Sequence, residues 1–165
     1  MIRPLSLPMI IASGISLVFG VFFFLLHFRL STRYQESVRY YLLFSLMALV
    51  SSVFLAAFSV LLNAGGNLNV LDIANRITII SSMFTILLAL HFYVSFFGYK
   101  EPVSLKWCYA ISTLFSMLCL VPNRYFLAKE FYATSRYYTG LAFGPLFQIW
   151  GAWVLVISGY CMVVL

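Results

Sequence analysis

From Pro8 to Phe28 the chain reads PMIIASGISLVFGVFFFLLHF, an uninterrupted apolar run without Asp, Glu, Lys or Arg. As a helix rising about 1.5 Å per residue, such a run covers the roughly 30 Å of hydrocarbon in a bilayer. Further segments of this kind follow, at 38–62, 71–98, 103–121 and 140–165, joined by loops that carry most of the charge. Only 8% of the residues are charged against 64% hydrophobic, with mean hydropathy +1.02, too little polar surface for a water-soluble globule. The net charge of +6 then belongs to loops at a membrane surface and not to a nucleic-acid footprint, since no basic stripe is exposed for a duplex. The expected partner is the lipid bilayer, with no nucleic acid.

These segments predict an all-α fold, a polytopic transmembrane helix bundle of five spans forming a single transmembrane domain over residues 1–165. The first span is expected to stay in place and not be cleaved as a signal peptide, because it is longer than a typical signal core and no A-x-A site follows it. The chain is still apolar at its last residues, SGYCMVVL, which is expected of the truncated N-terminal part of a longer protein. Arg29, Arg33, Arg39, Lys100 and Lys106 fall on one side of the membrane, and Arg3, Arg124, Lys129 and Arg136 on the other. By the positive-inside tendency this places the N-terminus outside. Tyr34, Tyr40, Tyr41, Tyr99 and Trp107 are expected to anchor one interface, and Tyr125, Tyr132, Tyr137 and Tyr138 the other.

Helices in lipid associate through close packing at small residues, and such residues recur at spacings of three and four. Ala12, Ser16 and Gly20 mark the first span, Ser45, Ala48, Ser52, Ala56 and Ser59 the second, and Thr78, Ser82, Thr85 and Ala89 the third. In the last, Gly140, Gly144, Gln148 and Ala152 form the expected packing ridge, with Gly144 and Pro145 as a hinge. The halves of the chain do not resemble each other, so no transporter-type repeat is visible.

Polar groups inside a membrane are expensive and therefore mark candidate sites. Asp72 and Arg76 lie four residues apart on one helix face and can pair. The pair can finish the outer end of a helix with Arg76 extended toward headgroups, or Arg76 can point into the bundle as the counter-charge of a ligand. Gln148 and Trp150 lie deep in the last span, where interhelical packing and a ligand-lining role both remain open. His91 and His27 lie near the inner ends of their spans; axial ligation of a haem is conceivable there, but hydrogen-bonded packing is the expected role, and no cofactor is expected. Cys108, Cys119 and Cys161 have no C-x-x-C spacing and are expected to be buried thiols, with no metal site. No P-loop, H-E-x-x-H or G-x-S-x-G motif occurs, and the lysines are expected in loops, which would exclude a retinal Schiff base. No catalytic residue is expected in the chain.

The stretch LDIANRITIISSMFTILLALHFYVSFFGYK resembles the third span of the seven-helix N-terminal sensor module of bacterial histidine kinases, a module also found in front of nucleotide cyclases. LVPNRYF and YYTGLAFGPLFQIWGAWVLVISGY resemble its fourth-to-fifth loop and fifth span. The resemblance implies an input domain in the bacterial plasma membrane with an outward N-terminus. It would respond to an unknown small ligand and pass the signal to a cytoplasmic kinase or cyclase domain in cis or trans, as a homodimer in one arrangement. The chain departs from that plan in having five spans instead of seven and no cytoplasmic output domain. The alternative functions are a small transporter or channel subunit and a membrane assembly protein.

Overall fold

The computed structural model describes residues 6–31, 38–63, 67–99, 103–121, 127–135 and 138–164. Arg3, Arg33, Tyr34, Lys100, Arg124, Tyr125, Arg136 and Tyr137 lie outside the described residues, as do the side chains of Lys129, Tyr132, Tyr138 and Cys161. The elements in chain order are helices α1 (Ser6–Ser31), α2 (Arg39–Asn63), α3 (Leu68–Phe96) and α4 (Val103–Leu120), then strands β1 (Leu127–Ser135) and β2 (Tyr138–Phe143), and helix α5 (Pro145–Val164).

Three of these helices, α1, α2 and α3, are long and apolar enough to cross a membrane. Shorter apolar helical stretches cover Ser104–Leu120 and Pro145–Ile157. Large apolar side chains point outward from the bundle: Val18 is 68% exposed, Leu25 61% and Leu155 74%. A soluble monomer would not leave so much apolar surface to water, and acyl chains satisfy it without loss. The chain is therefore a helical membrane protein.

Contacts along the helices give their order. Ser13 meets Ser52, Gly20 meets Ser45 and the His27 ring meets the Val38 carbonyl, so α1 and α2 run antiparallel. Phe44 packs on Phe92 while Leu61 shares a cluster with Leu71, which sets α2 against α3 the same way. Arg76 reaches Cys119 and His91 reaches Tyr109, fixing α4 antiparallel to α3. α5 runs alongside α3, with Phe147 and Trp150 near Ile79 and Met83, and Ile157 near Leu87 and Leu90. α3 is thus the central helix. It touches α2, α4, α5 and β2, and it carries the longest series of buried residues.

The ridge of small residues on α2 is buried where the spacing predicts at Ser45, Ala48, Ser52 and Ser59, whereas Ala56 is exposed. At Gly20 the two backbones come so close that an added Cβ would lie 2.7 Å from Leu49 Cγ, and the Gly20 carbonyl accepts a 2.7 Å hydrogen bond from Ser45 Oγ. This is the small-residue approach that helix pairs in lipid use.

The last span differs from the expectation. Residues 140–143 are strand, not helix: Gly140 stands opposite Tyr132 in an antiparallel two-stranded ribbon, so the described fold adds a hairpin to the helical bundle. LAKEFYATS and YTGLAF are rich in aromatic and Thr residues, which favour the extended chain. α5 begins at Pro145, the first helical position, where the missing N–H leaves no bond unmade, and the residue before a proline is kept out of the helical region. Gly144 and Pro145 consequently start a helix instead of bending one, with Phe147 N donating to Gly144 O at 3.0 Å. The expected ridge is not the packing face either. Gln148 and Ala152 are exposed, and α5 packs through Leu146, Trp150, Trp153 and Ile157. Large side chains at that spacing hold α5 on the α3–α4 core by volume, where small ones would require a closer approach.

Candidate functional site

The N-terminus of α3 starts at an Asn67 cap, whose side-chain oxygen accepts the Val70 N–H at 3.3 Å. Just beyond this first turn the i, i+4 spacing brings Arg76 Nε to 2.7 Å from Asp72 Oδ1, the pairing that the sequence predicts. The guanidinium does not run up toward headgroups. Arg76 is 6% exposed, and its Nη1 donates to the carbonyl of Cys119 at the last turn of α4.

That second bond has a clear cause. The final carbonyls of a helix lack an intrahelical donor and carry the negative end of the helix dipole, so a cation there satisfies both needs. Cys119, itself 0% exposed, leans back with its thiol 3.8 Å from the Arg76 carbonyl. One side chain thereby neutralises Asp72, caps α4 and joins the two helices. Arg76 Nη2 nevertheless has no hydrogen-bond partner among the described residues.

The surroundings are apolar. Ile79, Met83, Phe115 and Cys119 form a buried cluster one turn further along, and Leu146, Phe147, Trp150 and Trp153 of α5 pack on it. The indole N–H groups of Trp150 and Trp153 also lack partners among the described residues. Buried donors with nothing to donate to are unusual and expensive. Arg76 Nη2 on α3 and the two α5 indoles are therefore surplus donors, and they are linked through Cys119, whose carbonyl accepts from Arg76 and whose cluster carries the indoles. Such a place can bind an acceptor group or change which acceptor it holds. Among the described residues no group of three or more His, Cys, Asp or Glu side chains comes together.

No family model, no curated protein and no solved structure matches this chain.

Asp72 and Arg76 come together here, and Trp150 packs on the cluster that contains Cys119, the residue whose carbonyl Arg76 holds, with Gly144 buried at the start of α5. Gln148 does not join them, since it lies on the exposed face of α5. His91 lies at the other end of α3, where its Nδ1 is 3.2 Å from Tyr109 Oη, and His27 Nδ1 is 2.9 Å from the Val38 carbonyl at the corresponding end of α1. Cys108 and Cys119 are buried free thiols. Tyr40, Tyr99 and Trp107 gather at the His91 end, with Tyr40 stacked edge-on to Phe96 and Trp107 66% exposed.

Sequence reasoning missed three partners. The Cys119 carbonyl is a backbone acceptor and leaves no trace in residue type. Tyr109 reads as one more apolar-face aromatic. The Ser13–Ser52 pair, in which each hydroxyl lies within hydrogen-bond reach of the other's backbone carbonyl at 2.9 and 3.0 Å, could have been found only by aligning α1 and α2 in antiparallel register.

Proposed function

We propose that the chain is the membrane-embedded input module of a bacterial signalling protein, passing a signal to a cytoplasmic histidine kinase or cyclase domain in cis or trans. The observation that carries this reading is the buried Arg76, which holds Asp72 of its own helix and the end of α4 at once, beside the α5 tryptophans, with donors to spare. A switch requires two packings separated by a few kcal/mol, with the stimulus favouring one of them. A guanidinium that can exchange the Cys119 carbonyl for another acceptor supplies such an alternative, and releasing the end of α4 would loosen the cluster on which α5 rests.

In this reading all five helices cross the plasma membrane, with the N-terminus outside. α4 and α5, with 18 and 20 residues, extend about 27 Å and about 30 Å at about 1.5 Å per residue, which supports spanning. The small excess of basic residues at the helix ends and in the loops on the His91 side, Arg29, Arg33, Arg39, Lys100 and Lys106 against four on the other, supports the orientation. The transporter alternative loses its main mid-membrane polar group, because Gln148 faces away from the bundle. The test replaces the chromosomal gene by wild-type or Arg76→Ala chain and follows histidine and aspartate phosphorylation and cyclic nucleotide levels. An output that changes with Arg76 while the amount of folded chain in the membrane stays at the wild-type level supports the module; wild-type output in Arg76→Ala and in a deletion strain refutes it.

A further inference from the structure

A second feature of the fold lies away from Arg76. Where the start of α1, the end of α2 and the start of α3 meet, a cleft of about 480 Å³ opens on the side of the bundle. Its polar lining is Ser13, Ser59, Asn63 and Asn67; its apolar lining includes Ile10, Val60 and Val70. Ser59 is 5% exposed, and its Oγ has no hydrogen-bond partner among the described residues. The Asn67 side-chain oxygen is committed to capping α3, so the amide nitrogen is what that residue offers to a visitor. None of the described lining residues is ionisable.

The cleft continues downward. Val60 and Val70 also line a second groove of about 200 Å³ between α2 and α3, formed further by Ile73, Ala74 and Ile77. From Asn67 to Ile77 the α3 axis advances about 15 Å at about 1.5 Å per residue, away from the helix ends and into the hydrocarbon. Polar groups thus lie at interface depth and a purely apolar channel runs below them. Val60, Val70, Ile73 and Ile77 are 37–60% exposed, so the channel is open to the lipid side. An ion would lose its hydration there without finding a counter-charge, and a wholly apolar molecule would leave Ser59 and Asn67 unanswered.

We propose that this cleft binds a single-chain lipid amphiphile with an uncharged hydroxyl or carbonyl head, which enters sideways from the bilayer. The head reaches Ser59 and Asn67, whose hydroxyl and amide supply a donor and acceptor set, and the chain lies along Ile73 and Ile77. A charged head of the same chain length is disfavoured because no described lining residue offers a counter-charge. Binding is read directly, so the outcome does not depend on whether the chain signals.

The test uses the full chain in phosphatidylcholine nanodiscs with a photoreactive monoacylglycerol, and with the photoreactive fatty acid of equal chain length at a pH where it is ionised. Labelled peptides are mapped by mass spectrometry. Monoacylglycerol should label the Ala56–Ile77 segment at least about fivefold above the outward face of α1 around Val18 and Phe22. That is the factor corresponding to about 1 kcal/mol of preferential contact. The Ala56→Phe variant, which puts a ring into the cleft from an exposed lining position, should abolish the enrichment, and the fatty acid should not show it. Even labelling of all lipid-facing segments, unchanged labelling in Ala56→Phe, or equal labelling by the fatty acid would overturn the proposal. Should Ala56→Phe fail to fold, competition in the wild-type chain decides: saturable displacement by unlabelled monoacylglycerol supports the site, and unsaturable labelling overturns it.

Discussion

Replacing Arg76 by alanine removes two things at once: the 2.7 Å bond to Asp72 and the donor to the Cys119 carbonyl. The side chains of Arg76 and Asp72 are 7% and 15% exposed, so Arg76 is buried, Asp72 is half-buried, and solvent screens the pair only in part. Breaking a buried pair from one side costs about 3–5 kcal/mol, most of it from the charge left alone. At about 1.4 kcal/mol per decade this raises the unfolding equilibrium constant by roughly two to three and a half orders of magnitude. Arg76→Lys keeps the charge but offers a compact ammonium in place of a planar fork, and it should lose roughly half as much because one nitrogen must serve two acceptors that the fork reaches with separate nitrogens. In the double variant Arg76→Met with Asp72→Leu no charge is stranded, and stability should return to within about 1–2 kcal/mol of wild type. The assay is tryptophan-monitored unfolding in mixed micelles titrated with denaturing detergent, analysed as a double-mutant cycle. An Arg76→Ala penalty below about 0.5 kcal/mol would refute the reasoning, since that is what a solvated surface pair gives.

Further consequences are open to the same assay. Gly20→Val should destabilise by about 1–3 kcal/mol, because its Cβ would fall 2.7 Å from Leu49 Cγ and 3.2 Å from the Leu49 backbone nitrogen, whereas Gly14→Ala, with nothing within 4 Å, should be neutral or mildly stabilising. Tyr109→Phe should cost about 0.5–1.5 kcal/mol through the lost contact with His91, and a cycle with His91→Phe should show coupling; additive losses would mean that the two rings act independently. Trp153, which packs against both the Ile79–Phe115 and the Leu87–Leu105 clusters, should cost about 3 kcal/mol as Trp153→Ala, the lower end for a large core residue because it is half-buried.

The long helices were legible because one property, uninterrupted apolarity, decides their existence in a bilayer, and α1 to α4 lie within a few residues of the runs that mark them. The Asp72–Arg76 pair was equally legible, being a local consequence of helical spacing. The segment 140–143 was not, because an apolar run satisfies helix and strand alike and only the Gly-Pro step at 144–145 divides them. The α5 face failed for a different reason. Gln148 and Ala152 continue a ridge from Gly144 only if the partner helix comes close; both are exposed, and α5 packs instead through the bulk of Trp150 and Trp153. The inward turn of Arg76 depends on a carbonyl forty-three positions away in the chain, and no pattern of residue types encodes that acceptor.

The central claim is that stimulus reaches the output through movement of α5 against the α3–α4 core. Its most direct measurement is the phosphorylation or cyclic nucleotide output of cells carrying a reversible disulfide engineered between α3 and α5 at the level of Ile79 and Met83, in a background freed of the native cysteines. Output should become fixed and insensitive to stimulus when the bond is closed, and recover when it is reduced. A locked protein that responds as fully as the reduced one would contradict the claim.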